Sequence, residues 1–140
     1  MLTFNLFYSL LSLDLSEIPI CESALSCDNL PCADNGRLPC SRVVCAVLIS
    51  GDDIIWRDYA QTEIIENCKN PQFLCTINFK QSDGFNAGTP LRFTVYDVRE
   101  KVSSTAVPIG YAEVVLGAIQ VKIIVYILCT YILTISRIYL

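Results

Sequence analysis

Apolar and polar residues alternate along this chain in short bursts, each closed by turn-forming residues, and the prevailing period is two rather than 3.6. The clearest burst is 91–96 (LRFTVY), in which Leu91, Phe93 and Val95 fall on one side and Arg92, Thr94 and Tyr96 on the other, as in a half-buried strand. Residues 74–79 alternate in the same way and break at Ser82-Asp83-Gly84 and over 86–90. Further strands are predicted at 18–25, ahead of Asn29-Leu30-Pro31 and Asp34-Asn35-Gly36, and at 43–50, ahead of Gly51-Asp52-Asp53. Two more are predicted at 62–65 and 109–116. The first of these leads to Asn70-Pro71, where the proline ring disfavours the α region at Asn70 and ends any helix. Nothing before residue 120 keeps a helical period for three turns. Short strands at this spacing predict an all-β, antiparallel sandwich, and no repeat or low-complexity linker divides it.

Composition narrows the reading. The 140 residues suffice for one domain with a sizeable core, and 53% hydrophobic against 17% charged residues argues against disorder. Eight cysteines (Cys21, Cys27, Cys32, Cys40, Cys45, Cys68, Cys75 and Cys129) form no Cys-x-x-Cys pair, and there is no histidine. These spacings do not suggest a zinc site and fit reduced, mostly buried or half-buried thiols in a cytosolic protein. The net charge of −4 is uneven: five of the fourteen acidic residues precede the first basic one, Arg37. All ten basic residues then mix with the other nine acidic ones, so no overall field draws the chain to nucleic acid. Any anion must meet a local basic patch.

The apolar ends do not read as targeting signals. Residues 1–15 lack a positive start and a small-residue cleavage site. The uncharged run after Lys122 stops at Arg137, short of the roughly 20 residues a membrane-spanning helix needs, and its Ile, Val, Tyr and Thr favour strand.

Two stretches carry a family resemblance: 61–74 (QTEIIENCKNPQFL) and 90–113, which opens PLRFTVYDVREK and closes PIGYAE. A strand, an Asn-Pro-x-Phe loop and an alternating strand resemble the middle of a C2 domain, and Tyr96-Asp97, a polar loop and Ile109-Gly110-Tyr111 resemble its third loop and following strand. Asn29-Leu30-Pro31 with Asp34 resembles its first loop. In this order, and with Leu25-Ser26-Cys27-Asp28 ahead of them, the segments are similar to the N-terminal C2 domain of the inositol polyphosphate 4-phosphatases, type I and type II. That division implies an N-terminal extension over 1–16, the C2 domain over 17–120 and a tail over 121–140 outside the family pattern. The tail stands where the family has its last strand, so the sandwich is expected to lack that strand. The tail reads as translated intron or an alternative terminus, which either supplies a substitute strand or leaves a sheet edge open.

The resemblance also sets expectations for chemistry. Calcium-binding C2 domains gather about five carboxylates in the first and third loops, because the ion takes 6–8 oxygen ligands. Here Asp34 and Asp97 match two of those positions, while Leu38, Arg99 and Pro108 stand at the others. No metal and no cofactor is therefore expected, and Asp97–Arg99 or Asp34–Arg37 surface pairs are expected instead. The family's phosphatase chemistry resides in a distant domain with a Cys-x5-Arg loop, in which a thiolate attacks phosphorus. No cysteine here has an arginine six residues on, and Cys32 with Arg37 falls one short, so the chain is expected not to be an enzyme. What the resemblance leaves is calcium-independent binding of an anionic phospholipid membrane, phosphoinositides in particular, by a cytoplasmic, peripherally associated module. The candidate lipid contacts are Lys69, Lys80 and Arg92, grouped if their strands pair, and Arg99, Lys101 and Arg37 at loop tips beside Val102 and Leu38. At about 1 kcal/mol per basic residue near such a surface, binding would be weak and reversible. The alternatives are a protein-interaction C2 domain without lipid affinity and a tail-anchored membrane protein.

Overall fold

The computed structural model describes residues 19–100, 102–103, 105–119, 124–127 and 131–138. The expected extension over 1–16, Lys101 and the boundary at Gln120 lie outside them. Among the described residues there are eight strands: β1 (Pro19–Asp28), β2 (Ser41–Ser50), β3 (Ile54–Gln61), β4 (Ile77–Lys80), β5 (Pro90–Glu100), β6 (Thr105–Val115), β7 (Ile124–Ile127) and β8 (Tyr131–Ile138). The only α-helix among the described residues is the single turn α1 (Leu116–Ile119). The strands form two four-stranded sheets, ordered β4-β1-β8-β7 and β3-β2-β5-β6, and every pairing is antiparallel.

Alternation decides which side chains face the space between the sheets. From β5, Leu91, Phe93 and Val95 are no more than 1% exposed, and they meet Leu25 and Cys27 of β1, Val43 and Cys45 of β2, and Ile77 and Phe79 of β4. Each such side chain taken from water contributes about 1.5–3 kcal/mol before the entropy of ordering it. At one end, α1 closes the core with Leu116 and Ile119. Its Gly117 N–H donates to Ala87 O at 2.7 Å, and a Cβ at Gly117 would lie 2.8 Å from that oxygen, so the contact requires glycine.

Two elements differ from the sequence expectation. β3 lies at 54–61, where IIWRDYAQ shows no alternation, because an edge strand with one neighbour has little need to bury alternate residues: Ile54 and Ile55 are 74% and 54% exposed. The predicted strand at 62–65 is instead an extended segment beside the start of β2. There Thr62 N–H donates to Val43 O at 2.9 Å, Thr62 Oγ1 accepts from Val43 N–H at 3.0 Å, and Ile65 forms an isolated bridge to Ser41. β4 is only four residues long, since the Leu74 and Cys75 N–H groups donate to the Glu63 carboxylate rather than to a neighbouring strand.

At the backbone level the described part of the tail carries two strands. β8 pairs with β1 from Glu22↔Ile138 to Asp28↔Ile132, and β7 pairs with β8.

Strand directions send the segment joining β1 to β2, the segment following β3 and the segment joining β5 to β6 to one end of the sandwich. The turns 51–53 and 81–89 and helix α1 lie at the other.

Candidate functional site

Asp97 continues the inward row of β5 one step beyond Val95, which is why a carboxylate ends up 6% exposed at the mouth of the core. Its Oδ2 accepts from Arg37 Nη2 at 2.6 Å and its Oδ1 from the Cys40 N–H at 3.0 Å. Arg99 Nε lies 3.9 Å from Oδ2. Arg37 is positioned by its own loop. Its N–H donates to Asn35 Oδ1 at 3.0 Å, its carbonyl accepts from Ala33 N–H at 2.9 Å, and Nη1 donates to Leu38 O at 3.2 Å. The left-handed Gly36 (φ 77°) turns the chain back between these contacts. One carboxylate thus ties the first loop to the third.

Above this pair lies a shallow pocket of about 240 Å³ lined by Ala33, Asp34, Asn35, Arg37 and Arg99. Two apolar side chains next to these loops in sequence face solvent, Leu38 at 39% and Val102 at 103% exposure. Among the described residues no three His, Cys, Asp or Glu side chains converge as a metal site. The expected Asp34–Arg37 pair does not form. Arg37 reaches past Asp34 to the more buried Asp97, and Arg99 takes only the longer contact to it. Cys32 is exposed, and the arginine five residues on is committed to Asp97, so the two make no phosphate cradle.

The candidate lipid contacts divide into three groups. Arg37 and Arg99 are brought together at Asp97, and Lys69 belongs to the loop end as well, where its carbonyl accepts from Leu30 N–H at 2.8 Å. Lys101 lies outside the described residues. Lys80 and Arg92 are separated, because β4 pairs with β1 in one sheet while β5 pairs with β2 and β6 in the other. The expected cluster of Lys69, Lys80 and Arg92 on neighbouring strands is therefore not formed.

Arg92 occupies the outer face of the second sheet. Its Nε and Nη2 donate to Glu113 Oε1 at 2.9 and 2.6 Å, and its guanidinium lies 4.2 Å from the Trp56 ring centre and 5.1 Å from that of Tyr111. Sequence reasoning missed these partners. The signal needed was the register, which sets Arg92 opposite Glu113 and Thr94 opposite Tyr111. It also passed over Arg42, which stands opposite Tyr96 and whose Nε is buried without a hydrogen-bond acceptor.

Titration behaviour follows the same geometry. Burial, with Asp28 nearby, pushes the Cys27 thiol up to about 12, and burial with Asp58 does the same for Cys45. These are inert core thiols, not nucleophiles. Partial burial of Glu63 would raise its pKa, but the N–H groups of Leu74 and Cys75 outweigh that and hold the carboxyl below its ordinary value.

Two antiparallel four-stranded sheets with a loop-built site at one end define a β-sandwich binding module. Residues 20–124 match the C2 domain family, and the chain belongs to it. C2 domains are non-catalytic modules that often bind lipids or proteins. Among solved structures the chain is similar to the second C2 domain of BON1 (domain B), with a TM-score of 0.64 at 15% identity, covering 91% of this chain and 97% of that one. It is also similar to C2 domain A of plant Extended Synaptotagmin 1, with a TM-score of 0.52 at 16% identity over 89% and 100% of the two chains. A third similarity is to the calcium-bound C2 domains A and B of Extended-Synaptotagmin 2, with a TM-score of 0.53 at 12% identity over 86% of this chain and 46% of that one. At these identities the likeness concerns the fold. Among the described residues no helix is long and apolar enough to cross a membrane.

Proposed function

We propose that this C2 domain is a calcium-independent module that docks on anionic phospholipid surfaces, phosphoinositides included, through its loop end. The observation that carries the reading is the occupied state of Asp97. Its two oxygens already accept from a guanidinium at 2.6 Å and a backbone N–H at 3.0 Å, with a second guanidinium at 3.9 Å. A calcium ion, which needs 6–8 oxygens, would have to displace these donors and would gain few carboxylates in return. The positive charge that the ion would bring to a lipid headgroup is supplied chiefly by Arg99, which holds Asp97 only at 3.9 Å, with Lys69 and Lys101, while Arg37 mainly neutralises Asp97. Leu38 and Val102 beside them supply apolar area for the headgroup–acyl boundary.

The sequence resemblance extends the proposal. The module, bounded at about 17–120, serves a phosphatidylinositol-3,4-bisphosphate 4-phosphatase-like protein of the cytoplasm, holding a catalytic domain near its substrate by effective concentration. A Cys-x5-Arg domain encoded downstream at the same locus would support that extension, and a complete gene without one would end it.

Vesicle co-sedimentation tests the docking. Binding is expected to vesicles carrying phosphatidylserine or phosphatidylinositol 3,4-bisphosphate and not to neutral ones, unchanged by calcium or chelator and weakened by salt. Arg99→Glu is expected to weaken it by fivefold or more, since about 1 kcal/mol is lost with the cation and repulsion is added. No binding to any vesicle would leave a protein-interaction module as the reading, and binding only with calcium would overturn the role given to Asp97.

A further inference from the structure

The free edge of β3 is unusual for an exposed strand. One side pairs with β2, and among the described residues no strand lies along the other. Ile54 and Ile55 stand on it at 74% and 54% exposure, and the strand has no lysine or proline, its only charges being the adjacent, opposite Arg57 and Asp58. The strand is regular over 54–58, because Tyr59 is an extra residue between the pairs Cys45↔Ala60 and Ala46↔Asp58. Around this short segment Asp53 and Arg57 carry opposite charges, and neither has an ion partner among the described residues.

We infer that β3 pairs edge to edge with β3 of a second copy of this chain, antiparallel and centred on Ile55. Antiparallel pairing about a two-fold axis sets residues of like parity opposite each other on the same face. Centred on Ile55, it places Ile55 against the partner's Ile55 and Ile54 against the partner's Trp56 twice, and it brings Asp53, the turn residue just ahead of the strand, alongside the partner's Arg57 twice. The neighbouring registers are worse. Centring on Trp56 puts Ile54 against an aspartate and Ile55 against an arginine, and centring on Arg57 puts the two arginines together. Asp52 and Asp58 at the margins repel and keep the association weak and reversible. Because the two β3 strands run in opposite directions, the two loop ends point away from each other. If those ends bind membrane as proposed above, which this consequence rests on, one dimer bridges two bilayers.

Sedimentation of the full chain across roughly micromolar to millimolar concentration tests the pairing. A concentration-dependent dimer is expected. Arg57→Asp or Asp53→Arg alone should raise its dissociation constant about tenfold or more, since two ion pairs become two repulsions. The double exchange should restore it, and Ile55→Lys should abolish it, with circular dichroism unchanged in each exposed-site variant. A chain that stays monomeric, a dimer indifferent to these changes, or single reversals that the double exchange fails to rescue would overturn the inference. Vesicle turbidity separates it from the membrane reading. Arg57→Asp should co-sediment with phosphatidylserine vesicles as wild type does but no longer cluster them. Loss of co-sedimentation by the wild type would end the membrane reading and leave the sedimentation result standing.

Discussion

Two ion pairs share a 2.6 Å contact and the same pair of chemical groups, yet they do different work. Arg37–Asp97 ties the loop before β2 to the end of β5, 60 residues apart in sequence, with an arginine 32% exposed but a carboxylate only 8% exposed that has a backbone N–H as second donor. Arg92–Glu113 spans adjacent strands with both side chains in solvent, 32% and 47% exposed, and its arginine rests on two aromatic rings. Burial rather than distance sets what each pair is worth. In the first, losing the carboxylate strands a guanidinium and an N–H. In the second, water replaces whatever is removed.

Asp97→Ala should therefore give the largest effect, a loss of about 2 kcal/mol of unfolding free energy by urea titration, because the Cys40 N–H and a partly exposed guanidinium lose their shared, buried acceptor. A loss near zero would mean that the loop end does not depend on this carboxylate. Arg92→Ala should cost about 1 kcal/mol through its ring contacts and aliphatic stem, with Trp56 fluorescence shifting as the cation leaves. Glu63→Gln weakens the hold on the Leu74 and Cys75 amides by about 1 kcal/mol at neutral pH. The folded Glu63 pKa is depressed, so its contribution is full above the ordinary glutamate value of about 4.3 and is lost as pH falls through the lower folded value. The variant should accordingly flatten the acid limb of the stability profile. Glu113→Ala should cost least, about 0.5 kcal/mol or less, and less still at high salt. A Glu113 effect equal to that of Asp97 would erase the distinction between the two pairs.

Legibility follows the same divide. The inward row Leu91, Phe93, Val95 could be read directly, because a half-buried strand writes its environment into every second residue. Asp97 continues that row and ends it with a buried carboxylate. β3 was not legible. A strand with one neighbour and a solvent edge has no alternation to show, and the extended segment after it, 62–65, imitated a strand in its place. The cluster of Lys69, Lys80 and Arg92 failed for a different reason. It assumed that consecutive strands pair, whereas β4 crosses to β1 in the opposite sheet.

Period-two patterning and turn chemistry are local, so the sequence alone determined an antiparallel sandwich and which residues of β5 face its core. It also determined that the third loop carries an arginine two residues after its aspartate. Which arginine would close on Asp97, which rings would flank Arg92 and which strand would be left with an open edge were decided only by tertiary structure. Those outcomes depend on pairings between segments distant in the chain, set by register and burial rather than by any short run of residues.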